Sequence, residues 1–208
     1  MSFSSERGVF NLLKEECSDK GKLEYEQALR VLVDQYNTTI YENRFIVGGV
    51  VEVLTYALLK SVGIGCDLYS NVAKSGDIIL ENEKKISVKS QFTGRLSAIK
   101  LMNKQGGGKR VWNTATLFVI ANVGMVFGTP KMVDSEYVQD TNDGLELKVK
   151  GIRQLISNER NIFEIEVPQK QPTAMTGFSH KASAAVARRI LMANNARKLL
   201  GAMKHDLD

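Results

Sequence analysis

The spacing of apolar positions changes along the chain, and the changes divide it into regions. From Glu6 to Cys17, Val9, Phe10, Leu12 and Leu13 recur at helical spacing, and Lys20-Gly21 is expected to end the helix. Leu23 to Tyr36 repeats the pattern through Leu23, Tyr25, Ala28, Leu29 and Val31 to Val33, before the turn-prone Asn37-Thr38-Thr39. Ile46 to Leu59 (IVGGVVEVLTYALL) is apolar nearly all round, which predicts a buried helix, and it carries one acid, Glu52. After Gly63 and Gly65 the pattern alternates: Cys66 to Tyr69 reads as an edge strand and Ser75-Gly76 as a turn into Asp77-Ile-Ile-Leu80. A helix is expected from about Arg95 to Asn103, followed by a glycine loop. Ala115 to Gly128 reads as one or two buried strands broken near Asn122 to Gly124. Then come a polar loop (Asp134 to Asp143), a strand at Leu145 to Val149, a short helix near Ile152 to Ser157, and a strand at Ile162 to Val167 ended by Pro168.

The tail differs in composition. Ala182 to Met203 is rich in helix formers, and Lys181, Arg188, Arg189, Arg197, Lys198 and Lys204 outweigh Asp206 and Asp208. Val186, Ile190, Ala193 and Leu200 fall on one side of that helix, so docking on its own domain, docking on a second subunit and contacting DNA are all open. The whole chain has 208 residues, 43% hydrophobic and 25% charged, which predicts a single domain. Its parts would be an N-terminal helical layer (1–65), a sheet core (66–168) and a basic C-terminal helix (172–208). No apolar run is long enough to span a membrane, and the N-terminus lacks a basic start followed by an apolar stretch, so a cytoplasmic protein is expected.

Several chemistries fall away. Cys17 and Cys66 are too few for a disulfide scaffold or a zinc site built from paired CxxC motifs. The two histidines, His180 and His205, both lie near the end, which removes histidine-dependent nuclease chemistry and histidine metal sites. Neither phosphate-binding glycine motif is present, so no nucleotide cofactor is expected. The net charge of +5 permits a polyanionic partner without requiring one.

What remains is a hairpin. Reading Asp77 to Lys89 as two strands centred on Glu83 pairs Leu80 with Ile86, Ile79 with Ser87, Ile78 with Val88 and Asp77 with Lys89. Ile78, Leu80, Ile86 and Val88 then share a core face, while Asp77, Ile79, Ser87 and Lys89 share the other. An acid and an ammonium group are thereby held beside one point, where a metal-bound phosphate fits. The plain reading of Asp77 and Lys89 is a surface ion pair worth about 0–1 kcal/mol. Glu52 argues against it, because a lone carboxylate in an apolar helix is costly unless paired or metal-bound.

In Ser75-Gly76-Asp77 and Ser87-Val88-Lys89, with Glu52 on a preceding helix, the chain resembles the PD-(D/E)xK nuclease superfamily. The resemblance covers mainly residues 45 to 130. It departs from the pattern twice: Ser75-Gly76 stands where a proline is usual, and Ser87 where the triplet has its carboxylate. Gln91 to Val133 contains no Asp or Glu, so a later helix cannot replace the missing acid. The resemblance implies an α/β, restriction-endonuclease-like fold, a mixed central β-sheet flanked by helices. It also implies a Mg²⁺-dependent DNA endonuclease, with Mn²⁺ as a substitute, most simply a type II restriction enzyme cutting double-stranded DNA as a homodimer. Asp77, Glu52 and the Val88 carbonyl would hold the metal, Lys89 would orient water and phosphate, and Ser87 would fill a remaining position. Glu42 is the alternative to Glu52, although its polar setting, Tyr41-Glu42-Asn43-Arg44, reads more simply as a solvated helix cap. Gln91, Arg95, Lys100, Lys104, Lys109 and Arg110 follow the motif as candidate DNA contacts, while Trp112 reads as core rather than a base-stacking residue. The rivals are a homing, repair or junction-resolving nuclease of the same fold, and an inactive DNA-binding module.

Overall fold

A computed structural model describes residues 2–36, 41–68, 77–103 and 110–170, without the side chains of 41–45. Three helices come first: α1 (Ser4–Glu16), α2 (Asp19–Gln35) and α3 (Tyr41–Ser61). Lys20-Gly21 does not close a helix. The Ser18 hydroxyl accepts from the Gly21 N–H at 3.2 Å, capping the start of α2, so this glycine lies in a first turn and α2 begins before Leu23.

The strands are β1 (Cys66–Leu68), β2 (Ile78–Leu80), β3 (Lys85–Gln91), β4 (Ile99–Asn103), β5 (Ala115–Ile120), β6 (Gly124–Gly128), β7 (Val138–Thr141), β8 (Gly144–Leu147) and β9 (Ile162–Phe163), with α4 (Val149–Ile156) between β8 and β9. They form two sheets, one of six strands in the order β1-β2-β3-β5-β6-β9 and one of three in the order β4-β8-β7. The larger is mixed: β3 and β5 run parallel and the other neighbours antiparallel.

Side-chain parity assigns the layers. Leu117, Val119, Met125 and Phe127 join Phe10, Leu13, Leu29, Val47 and Val51 in a core beneath α1–α3. Phe118, Ile120 and Val126 point the other way, to Ile99, Leu101, Leu145, Leu147, Ile152 and Leu155 of the small sheet and α4. The architecture is therefore a mixed central sheet with helices on one face, and a small sheet with one helix on the other. With both faces covered, every residue of β5 and β6 is buried, which explains their continuous apolar sequence. The break between them is a turn in which Asn122 adopts φ 61° and Gly124 φ 119°.

The helix expected from Arg95 to Asn103 is instead loop and strand. Ile99 and Leu101 are buried while Lys100 between them is exposed, a strand alternation that pairs with β8 and is interrupted by a register shift between Lys100 and Met102. The helix-forming residues of this stretch gave way to an available strand edge. Within the expected polar loop at 134–143, Val138–Thr141 pairs as β7. The strand expected at 162–167 pairs only over Ile162 and Phe163, although Ile165 and Val167 remain buried. Residues 171–208, and with them the expected C-terminal helix, His180 and His205, lie outside the described residues.

Candidate active site

The hairpin forms, with its register two residues tighter than the sequence suggests. Ile78 faces Ile86 and Ile79 faces Lys85, so the centre is Asn82 rather than Glu83. Glu83 adopts φ 62° and its N–H bonds the Leu80 carbonyl at 2.9 Å, closing a three-residue loop with a bulge. A shift of two preserves side-chain parity, so Ile78, Leu80, Ile86 and Val88 still face the helix-side core. It also brings Asp77 level with Ser87 instead of Lys89.

Asp77 ends up at the centre of a cluster of donors. Its Oδ2 accepts from the Ser87 hydroxyl at 2.8 Å, the Val88 N–H at 2.6 Å and the Lys89 ammonium at 3.3 Å. The side chains of Lys89 and Asp77 are only 23% and 20% exposed, which sets this pair apart from a fully solvated one. Among the described residues no donor to Oδ1 occurs. In an extended strand the N–H and C=O of one residue point to the same edge, so the Val88 carbonyl lies on the β2 side of β3, as its N–H does.

Glu52 arrives from α3, which packs against β3. It is half-buried, and its carboxyl is pushed up to about 7, first by burial and then by the negative charge of Asp77, with Lys89 pulling the other way. Glu52 thus senses the charges of two residues brought from other segments. The two carboxylates are the acids of this site; among the described residues no cluster of three or more His, Cys, Asp or Glu side chains occurs. Glu42 belongs to α3, with its side chain outside the described residues.

The residues expected along the DNA divide into two groups. Arg95 and Lys100 are exposed, on the loop after β3 and on β4. Gln91 is only 8% exposed and turned inward: its amide donates to the Ser97 carbonyl at 2.9 Å and hydroxyl at 2.8 Å, and accepts from the Ser97 N–H at 3.3 Å. It latches the 92–98 loop that carries Arg95. Arg110 pairs with Asp140 at 2.7 Å and donates to the Thr141 carbonyl at 3.2 Å, tying the entry to β5 onto β7. Lys104 and Lys109 lie outside the described residues. Trp112 is core, its indole N–H on the Thr116 hydroxyl at 3.1 Å and its ring edge-on to Phe118. Ser97 and Asp140 were invisible as partners in the sequence, because nothing in an unaligned chain marks the far end of a side-chain hydrogen bond.

Compared with protein-family models, curated proteins and solved structures, the chain matches none.

Proposed function

We propose that the chain is a Mg²⁺-dependent DNA endonuclease of the type II restriction kind, acting on duplex DNA as a homodimer. What carries this reading is the geometry of Asp77, whose carboxylate gathers Ser87, the Val88 N–H and Lys89, with Glu52 near enough that its carboxyl, raised first by burial, is raised further by Asp77. A second carboxylate close to the first suits a divalent cation, and among the described residues the donors to Asp77 all engage Oδ2. The donors fit a hard ion: Mg²⁺ is commonly held by one or two carboxylates with water completing its octahedron, and the Val88 carbonyl adds an oxygen at the same edge. When bound, the cation, Mg²⁺ or Mn²⁺, neutralises charge on the scissile phosphate and favours ionisation of a water.

The remaining work falls to the chain. Glu52 and Asp77 would hold the ion, and Ser87 with the Val88 N–H fixes the Asp77 carboxylate. Lys89, held by Asp77 at 3.3 Å, orients the attacking water and stabilises charge developing on the phosphate oxygens. Arg95 and Lys100 offer exposed cations to the phosphate backbone beside it. Cutting both strands requires two such sites, which a twofold dimer provides.

A digest of unmethylated phage DNA with Mg²⁺ and with chelator tests this: discrete fragments with Mg²⁺ only are expected. A smear would replace sequence specificity with general nuclease activity, and selective cutting of branched DNA would favour a repair or junction-resolving role. One observation favours the non-enzymatic rival: the Ser87 hydroxyl, where the superfamily has an acid, donates to Asp77 and helps satisfy it without a metal. DNA binding without cleavage in either Mg²⁺ or Mn²⁺ would establish that rival.

A further inference from the structure

α3 is apolar around its circumference, yet the described residues cover only one side of it. Val47, Val51, Leu58 and Leu59 enter the core, whereas Ile46 and Val53 are 47% and 50% exposed, Ala57 is exposed and Val50 half-buried. Ile46, Val53 and Ala57 stand at i, i+7 and i+11 on the outer side of the helix, and Val50, at i+4 in the same row, packs in part against the core. Single exposed apolar residues need no explanation, but a continuous apolar stripe marks a contact surface.

The dimensions of the stripe indicate what covers it. Eleven residues at a 1.5 Å rise give about 17 Å of length, and with one helix width of about 10 Å the footprint is on the order of 200 Å². A stable dimer needs roughly 800 Å² on each partner, so this stripe suits a single tethered helix better than a second copy. A tether supplies effective concentration in place of area.

The chain leaves the described region on the matching side. Ile165 and Val167 sit in the helix-side core, Glu166 pairs with Arg30 of α2 at 2.8 Å, and the Lys170 N–H bonds the carbonyl of Phe92, itself in that core. From there the residues up to 181 span at most about 40 Å when extended, comparable with the width of a domain of this size.

We propose that the apolar side of residues 182–203, formed by Val186, Ile190, Ala193 and Leu200, docks along the outer stripe of α3. The contact completes the helix layer and does not depend on the nuclease reading. It assigns the tail's apolar side to its own domain, with Arg188 on the opposite side of the helix and Arg197 at the end of the docked row.

Cysteine pairing in the full chain tests it. Val53→Cys is combined in turn with Val186→Cys, Ile190→Cys and Ala193→Cys and oxidised with diamide; Cys17 and Cys66 are buried, at 8% and 3% exposure, and serve as background. At least one pair is expected to give a fast-migrating, reducible monomer, while Ile190→Cys combined with Val111→Cys, an exposed position next to Trp112, which packs on the opposite side of the large sheet, gives none. No intramolecular crosslink in any of the three pairs would overturn the proposal, as would a Val53→Cys band at twice the monomer mass, which would assign the stripe to a second copy. Val53→Asp and Ala57→Asp supply an independent readout, because each should speed proteolytic release of the tail about tenfold; release at the wild-type rate in both would also overturn it.

Discussion

Two ion pairs in this molecule look alike and stand in opposite situations. Asp77–Lys89 spans 3.3 Å with its side chains about one-fifth exposed, and Arg110–Asp140 spans 2.7 Å with exposures of 23% and 45%. Arg110 and Asp140 answer each other, and the Thr141 carbonyl adds a bond that fastens one loop to a strand. Beside Asp77 and Lys89 stands a third charge, Glu52, whose carboxyl is raised to about 7 by burial and by Asp77. A matched pair holds a structure together. A pair with a second carboxylate beside it differs from a matched pair, and that difference is what makes Asp77 and Lys89, and not Arg110 and Asp140, the candidate site.

The sharpest way to break the comparison is to remove one member of each pair. Asp77→Ala and Lys89→Ala should each lower Mg²⁺-dependent cleavage by about 10²–10³-fold or more, with DNA binding still measurable by gel shift. Arg110→Ala should keep cleavage within about tenfold of wild type. Wild-type turnover in both Asp77→Ala and Lys89→Ala would refute the assignment, and an equal loss in all three would dissolve the contrast.

The next largest effect concerns stability and is asymmetric. Asp140→Ala leaves a largely buried guanidinium unpaired, and Nη1 of Arg110 already has no partner among the described residues, so urea unfolding should show a loss of about 1–3 kcal/mol. Arg110→Ala should cost less, since the Asp140 left behind is 45% exposed and can be solvated.

A pH series sharpens the other side of the comparison. Glu52 has its folded pKa raised from 4.5 to about 7, so the folded state binds more protons than the unfolded one in that window. Stability without divalent ions should therefore fall as pH rises from about 4.5 to 7, by on the order of 1–2 kcal/mol after allowing for partial solvent exposure. Glu52→Gln should flatten this slope in urea titrations across that range, and an unchanged slope would show that another group titrates. The smallest effect belongs to the latch: Gln91→Leu should cost about 1 kcal/mol and speed amide exchange over residues 92–98, leaving Asp77 and its donors in place.

Much of the site could be read in advance because parity is robust. The two faces of the hairpin follow from alternation alone, and a register shift of two residues left them intact while exchanging Lys89 for Ser87 opposite Asp77. That shift depended on Glu83 entering the left-handed region, which no apolar pattern encodes. The region from Arg95 to Asn103 was misread for a different reason: Ile99 and Leu101 alternate over too short a span to outweigh helix-forming neighbours, and the edge of β8 decided the outcome. Gln91 and Arg110 were legible as polar residues near the motif, but their partners, Ser97 and Asp140, were not.

By itself, the sequence determined the order of helices and buried strands, the acid and lysine on one face of a hairpin, and a single acid within an apolar helix. These follow from local spacing, which survives small errors of register and boundary. Only the tertiary structure decided that Glu52 lies within electrostatic reach of Asp77 and Lys89, that a second sheet covers the far face of β5 and β6, and that the described residues leave one side of α3 uncovered. Each of these depends on how separate elements pack, and packing distance is a property of the folded chain that residue order alone does not carry.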